Sequence, residues 1–384
     1  MSLWNNPVML SWIELDTDRF RRNIEAFRAI EPPGTLVMVV VKANAYGHGL
    51  RALGSAAADV ADWLGVNSVE EAAALTALGV QKPIAILGHS ELDRTEEIVR
   101  EGYRQVIYRL DVAKALSEAG GRLGRPARIH LKIETGTNRQ GIALAELKSF
   151  LASILQYPAL EVEGAYTHFA NIEDTLDPSF AQLQLKRFGE ALDMLSDAGR
   201  TPSVIHTAAT AGALLYPETA FGMIRLGIGA YGVWPSRETQ LAARERGRLI
   251  SLSPVLTWKT RIAQVKTVAA GDYVGYGLTY QAGRPLRIGI LPIGYYDGYD
   301  RKLSNCARVL VRGQFAPVIG RIAMNMTMID VTDIGAHNDD EVVLIGKQGG
   351  NEIRAEEIAE KCGTIAYEML SRINPLLPRV AGGV

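Results

Sequence analysis

Residues 35–49 read TLVMVVVKANAYGHG, a strand-sized apolar run that ends on Lys42 and breaks at once into small residues and glycine. A run as apolar as Val37, Met38, Val39, Val40 and Val41 suits a parallel strand covered on both faces. A lysine at its tip either escapes to water or stands desolvated, and an unpartnered buried ammonium is costly. Similar runs follow at 62–66, 83–87, 104–108, 128–133, 160–169, 203–207 and 222–226. Between them lie stretches such as SVEEAAALTALG and SFAQLQLKRFGEALDMLSDAG, whose apolar residues fall at helical spacing. Eight alternations of strand and helix predict an α/β fold, a (β/α)8 TIM barrel.

Near residue 245 the texture changes. SPVLTWKTRIAQVKTV, RPLRIGILPIGYY, ARVLVRG, FAPVIGRIAMNMTMIDVT and DEVVLIGK read as strands rich in Val and Ile, with no long helix before AEEIAEKCG. This part is expected to be a separate all-β domain. The expected division is an N-terminal strand at 1–12 packed with the β domain, a barrel at 13–245 and the C-terminal β domain at 246–384.

The 384 residues suffice for two domains, and 47% hydrophobic with 22% charged residues is ordinary globular composition. A net charge of -1 without a basic cluster argues against nucleic acid or an anionic membrane as partner. No apolar run reaches the length of a membrane span, and MSLWNNPVMLSWIELD lacks the basic-then-apolar order of a secretion signal. Cys306 and Cys362 have no metal-ligand spacing, so no metal site is expected. A cytoplasmic location is the expectation.

A barrel places its catalytic groups just past the C-terminal ends of its strands. Lys42 follows the first run, Arg139 lies in the loop after the fifth, His168 and His206 close the sixth and seventh, and Arg225 the eighth. Each alone has a structural explanation; together they crowd one rim. The loop RLGIGAYG adds Gly227 and Gly229, and HTAATAGA adds the hydroxyl of Thr210. Barrels commonly hold phosphate with backbone N–H groups from the loops after strands seven and eight. A desolvated lysine beside a phosphate cradle points to a cofactor with both a carbonyl and a phosphate. Pyridoxal 5'-phosphate has both. Its aldehyde condenses only with a neutral amine, and apolar walls lower a lysine's pKa.

VVKANAYGHG resembles the cofactor-lysine motif of bacterial alanine racemases. The likeness continues in KIETGTNRQG, THFAN, HTAAT, RLGIGAYG, VGYGLTY, IGYYDGYDR, GRIAMNMTMIDV and IAYEMLSRINPLLPRV, in order and over essentially the whole chain. The resemblance implies a pyridoxal-phosphate enzyme that interconverts L- and D-alanine, supplies D-alanine for peptidoglycan, and works as a head-to-tail homodimer. Each site would combine the barrel of one subunit with the β domain of the other. By position, Lys42 would hold the cofactor and act as one base, and Tyr276 from the other subunit would be the opposite base. Arg225 would meet the pyridine nitrogen, with His168 linking it to Tyr276. Arg139 would face the phenolic oxygen and the substrate carboxylate. His206 is placed with the cofactor-binding residues, and Tyr46, Thr210, Gly227, Ile228 and Tyr367 would surround the phosphate. Met324 would offer its N–H to the carboxylate, with Tyr295 and Arg301 at the entrance. Lys132 matches a lysine carbamylated in some members.

Departures from the family pattern bear on substrate choice. Asn325 and Glu134 stand where many members have aspartate, Ala209 where some have asparagine, and Asn171 and Glu173 differ at the entrance. A broader or serine-preferring racemase and a non-catalytic pyridoxal-phosphate carrier are the alternatives. A carrier would not need the β domain. A decarboxylase of related architecture would pair a carboxylate with the ring nitrogen and set a cysteine opposite the lysine, unlike Arg225 and Tyr276.

Overall fold

The computed structural model describes residues 9–382. The chain divides into two compact units, one of Phe20–Ala45 and Gly54–Ser253, the other of Met1–Arg19, Tyr46–Leu53 and Pro254–Val384.

In chain order the strands are β1 (Ser11–Leu15), β2 (Leu36–Val40), β3 (Trp63–Val66), β4 (Ile84–Ile86), β5 (Arg104–Ile107), β6 (Ala127–Glu134), β7 (Ile142–Ala143), β8 (Leu160–Tyr166), β9 (Val204–His206) and β10 (Met223–Leu226). The first unit arranges its strands in the order β10-β2-β3-β4-β5-β6-β8-β9, with the short β7 added to β6, and every pairing is parallel. At the seam between β9 and β10, the N–H of Gly222 donates to Ile205 O at 3.1 Å and that of Arg225 to Ala208 O at 2.9 Å. The eight runs anticipated from sequence therefore form the (β/α)8 barrel. They were legible because β3, β4 and β10 are buried along their whole length. Met38, Trp63, Ala85, Val204 and Met223 fill one layer of its interior. Gly65 leaves room for this layer, since a Cβ there would stand 2.9 Å from the Met38 sulfur.

The second unit continues with β11 (Leu256–Arg261), β12 (Gln264–Val268), β13 (Leu286–Leu291), β14 (Arg308–Val311), β15 (Gln314–Pro317), β16 (Thr327–Asp330), β17 (Glu341–Gln348), β18 (Asn351–Ile353) and β19 (Arg379–Ala381). One sheet runs β15-β14-β17-β11-β1-β19, with β18 on β17, and a smaller one runs β12-β13-β16. β1 pairs antiparallel with β11, Ser11 opposite Thr260, and parallel with β19.

Two runs read as single strands are each divided. SPVLTWKTRIAQVKTV supplies β11 to one sheet and β12 to the other, breaking at Ile262–Ala263. FAPVIGRIAMNMTMIDVT supplies β15 and β16, and Gly320, at φ +70, marks the break. A Cβ on Gly320 would lie 2.4 Å from Val274 O, so only glycine fits. Among the described residues no helix is long and apolar enough to cross a membrane.

Candidate active site

Lys42 follows β2 and begins a turn in which Ala43, Asn44, Ala45 and Tyr46 all have φ between 52 and 54. Consecutive left-handed residues cost about 1–2 kcal/mol each, a conformation kept where the surroundings over-determine it. Here Glu71 accepts the N–H of Ala43 at 2.7 Å through one oxygen and that of Asn67 at 2.7 Å through the other. Ala45 N–H returns to Val41 O at 2.9 Å. The strand therefore stops abruptly at Lys42. Burial, then the charge of Arg139, lowers the Lys42 pKa, with Arg225 adding to the fall and Glu71 opposing it.

Arg225 sits within the fully buried strand β10, 4% exposed. One terminal nitrogen donates to His206 Nδ1 at 2.8 Å and to His206 O at 2.9 Å. The other meets Thr167 O at 3.1 Å, Thr207 O at 2.9 Å and His168 Nδ1 at 3.2 Å. These acceptors are neutral, and between them they hold the guanidinium rigidly in place. Burial, then Arg225, drives both His168 and His206 well below the usual imidazole pKa, so both are neutral.

The predicted Lys42, His168, His206 and Arg225 thus share one region of the barrel. Arg139 stands exposed on the turn after β6, its charge felt by Lys42, Lys132 and His168. Glu134 shapes that turn by accepting the N–H groups of Gly136 at 2.6 Å and Arg139 at 3.3 Å. Lys132 is buried and donates to Gln140 Oε1 at 3.2 Å; burial and Arg139 lower its pKa to about 8.

Thr210 opens the helix Thr210–Leu215, and its hydroxyl accepts the N–H groups of Gly227 and Gly229 at 3.3 Å each. Ile228 begins the turn Ile228–Tyr231 within the same loop. A Cβ on Gly229 would lie 2.7 Å from Phe27 and from Thr210 Cγ2, so glycine is required there. This is a nest of backbone donors around a hydroxyl, the chemistry of an anion cradle.

Sequence reading missed Tyr166, the platform of the mouth. Its ring stacks on His206 at 4.7 Å and 6°, and Arg225 and Lys132 lie over it at 5.0 and 5.5 Å. A tyrosine at the end of the strand LEVEGAY carries no local mark of that role. His130 was also missed, although His130 and Lys132 two residues apart in an apolar strand share a face, which is a usable signal.

The remaining predicted residues lie in the second unit. Tyr46 and Tyr367 face each other at 6.2 Å. Gly47 beside them approaches the helix Ala366–Ser371 so closely that a Cβ would stand 1.9 Å from Leu370 O. Tyr276 begins a turn, Tyr276–Leu278, and is 72% exposed. Met324 is 56% exposed, and its carbonyl accepts the N–H of Tyr296 at 3.0 Å. Tyr295 and Arg301 line a cavity of about 420 Å³ with Asp300, Thr364, Met369 and Arg372.

A parallel barrel with a desolvated lysine, a rigid arginine and an anion cradle at the C-terminal ends of its strands defines a barrel enzyme of amine–carbonyl chemistry. Comparison with known proteins makes the family specific. Residues 15–235 match the alanine racemase N-terminal domain and residues 255–381 the alanine racemase C-terminal domain. The chain is 41% identical to the alanine racemase of Symbiobacterium thermophilum over 97% of each chain. The structure matches that of alanine racemase from Streptomyces lavendulae with a TM-score of 0.91 at 34% identity, covering 99% of this chain and 98% of that one. A histidine racemase from Leuconostoc mesenteroides matches with a TM-score of 0.87 at 27% identity, covering 99% and 100%. The chain belongs to the alanine racemase family.

Proposed function

We propose that this enzyme interconverts L- and D-alanine with pyridoxal 5'-phosphate, by a two-base route, in a homodimer. The observation that carries the reading is Lys42, its pKa lowered by burial and by Arg139, in the same mouth as Arg225 and the Thr210–Gly227–Gly229 cradle. The residues present fit the cofactor. A lysine made easier to deprotonate suits its aldehyde, neutral backbone donors and a hydroxyl suit its phosphate, and a donor-only arginine suits its ring nitrogen.

In this reading Lys42 binds the cofactor, Thr210, Gly227 and Ile228 hold its phosphate with Tyr46 and Tyr367, and His206 buttresses Arg225. When bound, the cofactor supplies the electron sink that makes the amino acid's Cα proton removable. Lys42 Nζ takes or returns that proton on one face, and Oη of the partner's Tyr276 does so on the other. Two bases are needed because a single one would have to serve both faces of the carbon. Arg225 would hold the pyridine nitrogen as a donor that does not give up its proton, which would disfavour proton return away from Cα. His168, kept neutral by burial and Arg225, accepts from Arg225 and links it to the partner's Tyr276. Arg139 and the backbone N–H of the partner's Met324 bind the substrate carboxylate, and Tyr295 and Arg301 flank its entrance. A cytoplasmic enzyme supplying D-alanine for peptidoglycan is the corresponding cellular role.

The likeness to a histidine racemase favours a second reading, in which the same frame accepts larger side chains. Asn171, Glu173 and Asn325, all exposed, are the positions in this chain that bear on it. Incubation with L-alanine and pyridoxal phosphate in D2O separates the readings. Conversion toward an equal mixture, with deuterium at Cα of the product, supports the racemase. A bound chromophore without conversion overturns alanine as the substrate, and serine and histidine are then assayed the same way.

A further inference from the structure

Behind Arg225 a chain of polar side chains runs through the apolar barrel. His206 Nε2 meets His130 Nδ1 at 2.9 Å, both rings fully buried. His130 Nε2 faces Glu163 Oε2 at 3.4 Å, without the alignment of a regular hydrogen bond, so that link is electrostatic. Arg104 grips Glu163 with two donors at 2.9 and 3.2 Å and lies 5.0 Å over the Trp63 ring, which packs 5.3 Å from His130.

The direction of this chain follows from donor chemistry. A guanidinium has no acceptor, so His206 Nδ1, 2.8 Å from Arg225, presents a lone pair. Neutral His206 then carries its proton on Nε2 and donates it to His130 Nδ1. His130 in turn carries its proton on Nε2, the nitrogen 3.4 Å from the carboxylate. Burial raises the Glu163 pKa, but His130 and Arg104 outweigh it and hold the group at about 2, so the end of the chain is anionic at neutral pH.

The backbone makes room for His130. The β6–β8 register shifts between Ile129 and His130, bringing His130 opposite Gly164. A Cβ at Gly164 would stand 2.5 Å from His130 Nδ1. A register shift and a glycine coincide where the ring must sit.

We propose that His130 and Glu163 are positioning residues for the reaction, fixing the tautomer of His206 and thereby the lone pair that holds Arg225 in place. This rests on the reading that Arg225 serves the cofactor's ring nitrogen. The test uses full-length protein labelled with 15N-histidine, comparing wild type with His130→Phe, His130→Asn and Glu163→Gln. Asparagine can set an acceptor oxygen where Nδ1 was; phenylalanine fills the space without one. In wild type and His130→Asn, His206 is expected as the Nε2–H tautomer alone. In His130→Phe both tautomers are expected, with pyridoxal-phosphate affinity and kcat reduced about tenfold and KM for alanine little changed. Glu163→Gln is expected to fall between these.

A single Nε2–H tautomer in His130→Phe, or equal losses in the Phe and Asn variants, overturns the proposal. The tautomer readout needs no cofactor, so it stands apart from the reading of the mouth. That reading fails separately if Arg225→Ala leaves cofactor affinity and absorption unchanged.

Discussion

At the barrel mouth Arg225 is 4% exposed and donates to His206, His168 and three backbone carbonyls. In the other unit Tyr276, Leu278, Met324 and Met326 are 72%, 65%, 56% and 55% exposed. The mouth is preorganised within one chain, at the expense of Lys42, Lys132 and Arg225 standing as like charges in a desolvated place, with the charge of the exposed Arg139 acting on both lysines. The second region places large apolar side chains and a tyrosine in water, as surfaces meant for a partner do. Each region is poor design for a chain acting alone. The homodimer with shared sites proposed above would account for both.

The largest effect is expected at the mouth. Lys42→Ala should abolish the bound chromophore and cut turnover by more than about 10⁴-fold. Turnover within tenfold of wild type would break the comparison by removing the mouth's central group. Tyr276→Phe should keep the chromophore and lose about 10²–10⁴-fold in racemisation. Washout of the Cα proton into D2O should then persist for one alanine enantiomer and collapse for the other. Equal washout from both would remove Tyr276 as a base.

Met326→Asp should weaken the dimer about tenfold or more in sedimentation equilibrium, because a carboxylate would be desolvated in the interface. An unchanged dimer would place the interface elsewhere. The smallest effect concerns Lys132, whose pKa falls from 10.5 to about 8 on folding. Between those values the unfolded chain binds more protons, so this group's contribution to stability rises as pH climbs from about 8 toward 10.5. Denaturant titrations should show that rise in wild type and a flatter profile in Lys132→Met. Identical profiles would mean that the mouth does not strain its lysines.

The barrel was legible because several of its strands are buried along their whole length and read as short apolar runs, and Lys42, His206 and Arg225 stood out against that background. Other features had no local signature. Ala-Asn-Ala-Tyr after Lys42 does not spell a left-handed turn; Glu71, from a later helix, caps it. Glu163 and Arg104 are far from His130 in sequence and meet it only once β5, β6 and β8 are neighbours. The division of FAPVIGRIAMNMTMIDVT hinged on Gly320 approaching Val274, a contact no periodicity encodes.

The shared site is the central claim, and mixing two inactive variants tests it most directly. Lys42→Ala and Tyr276→Ala chains are dissociated, combined in equal amounts and reassociated, and hybrids are isolated by distinct tags. In a shared-site dimer each hybrid pairs one doubly damaged site with one intact site. The mixture should therefore recover about a quarter of wild-type racemase activity, and purified hybrid about half. Tagged hybrids with no activity above the parent variants would contradict the account, placing both bases in the same chain's site.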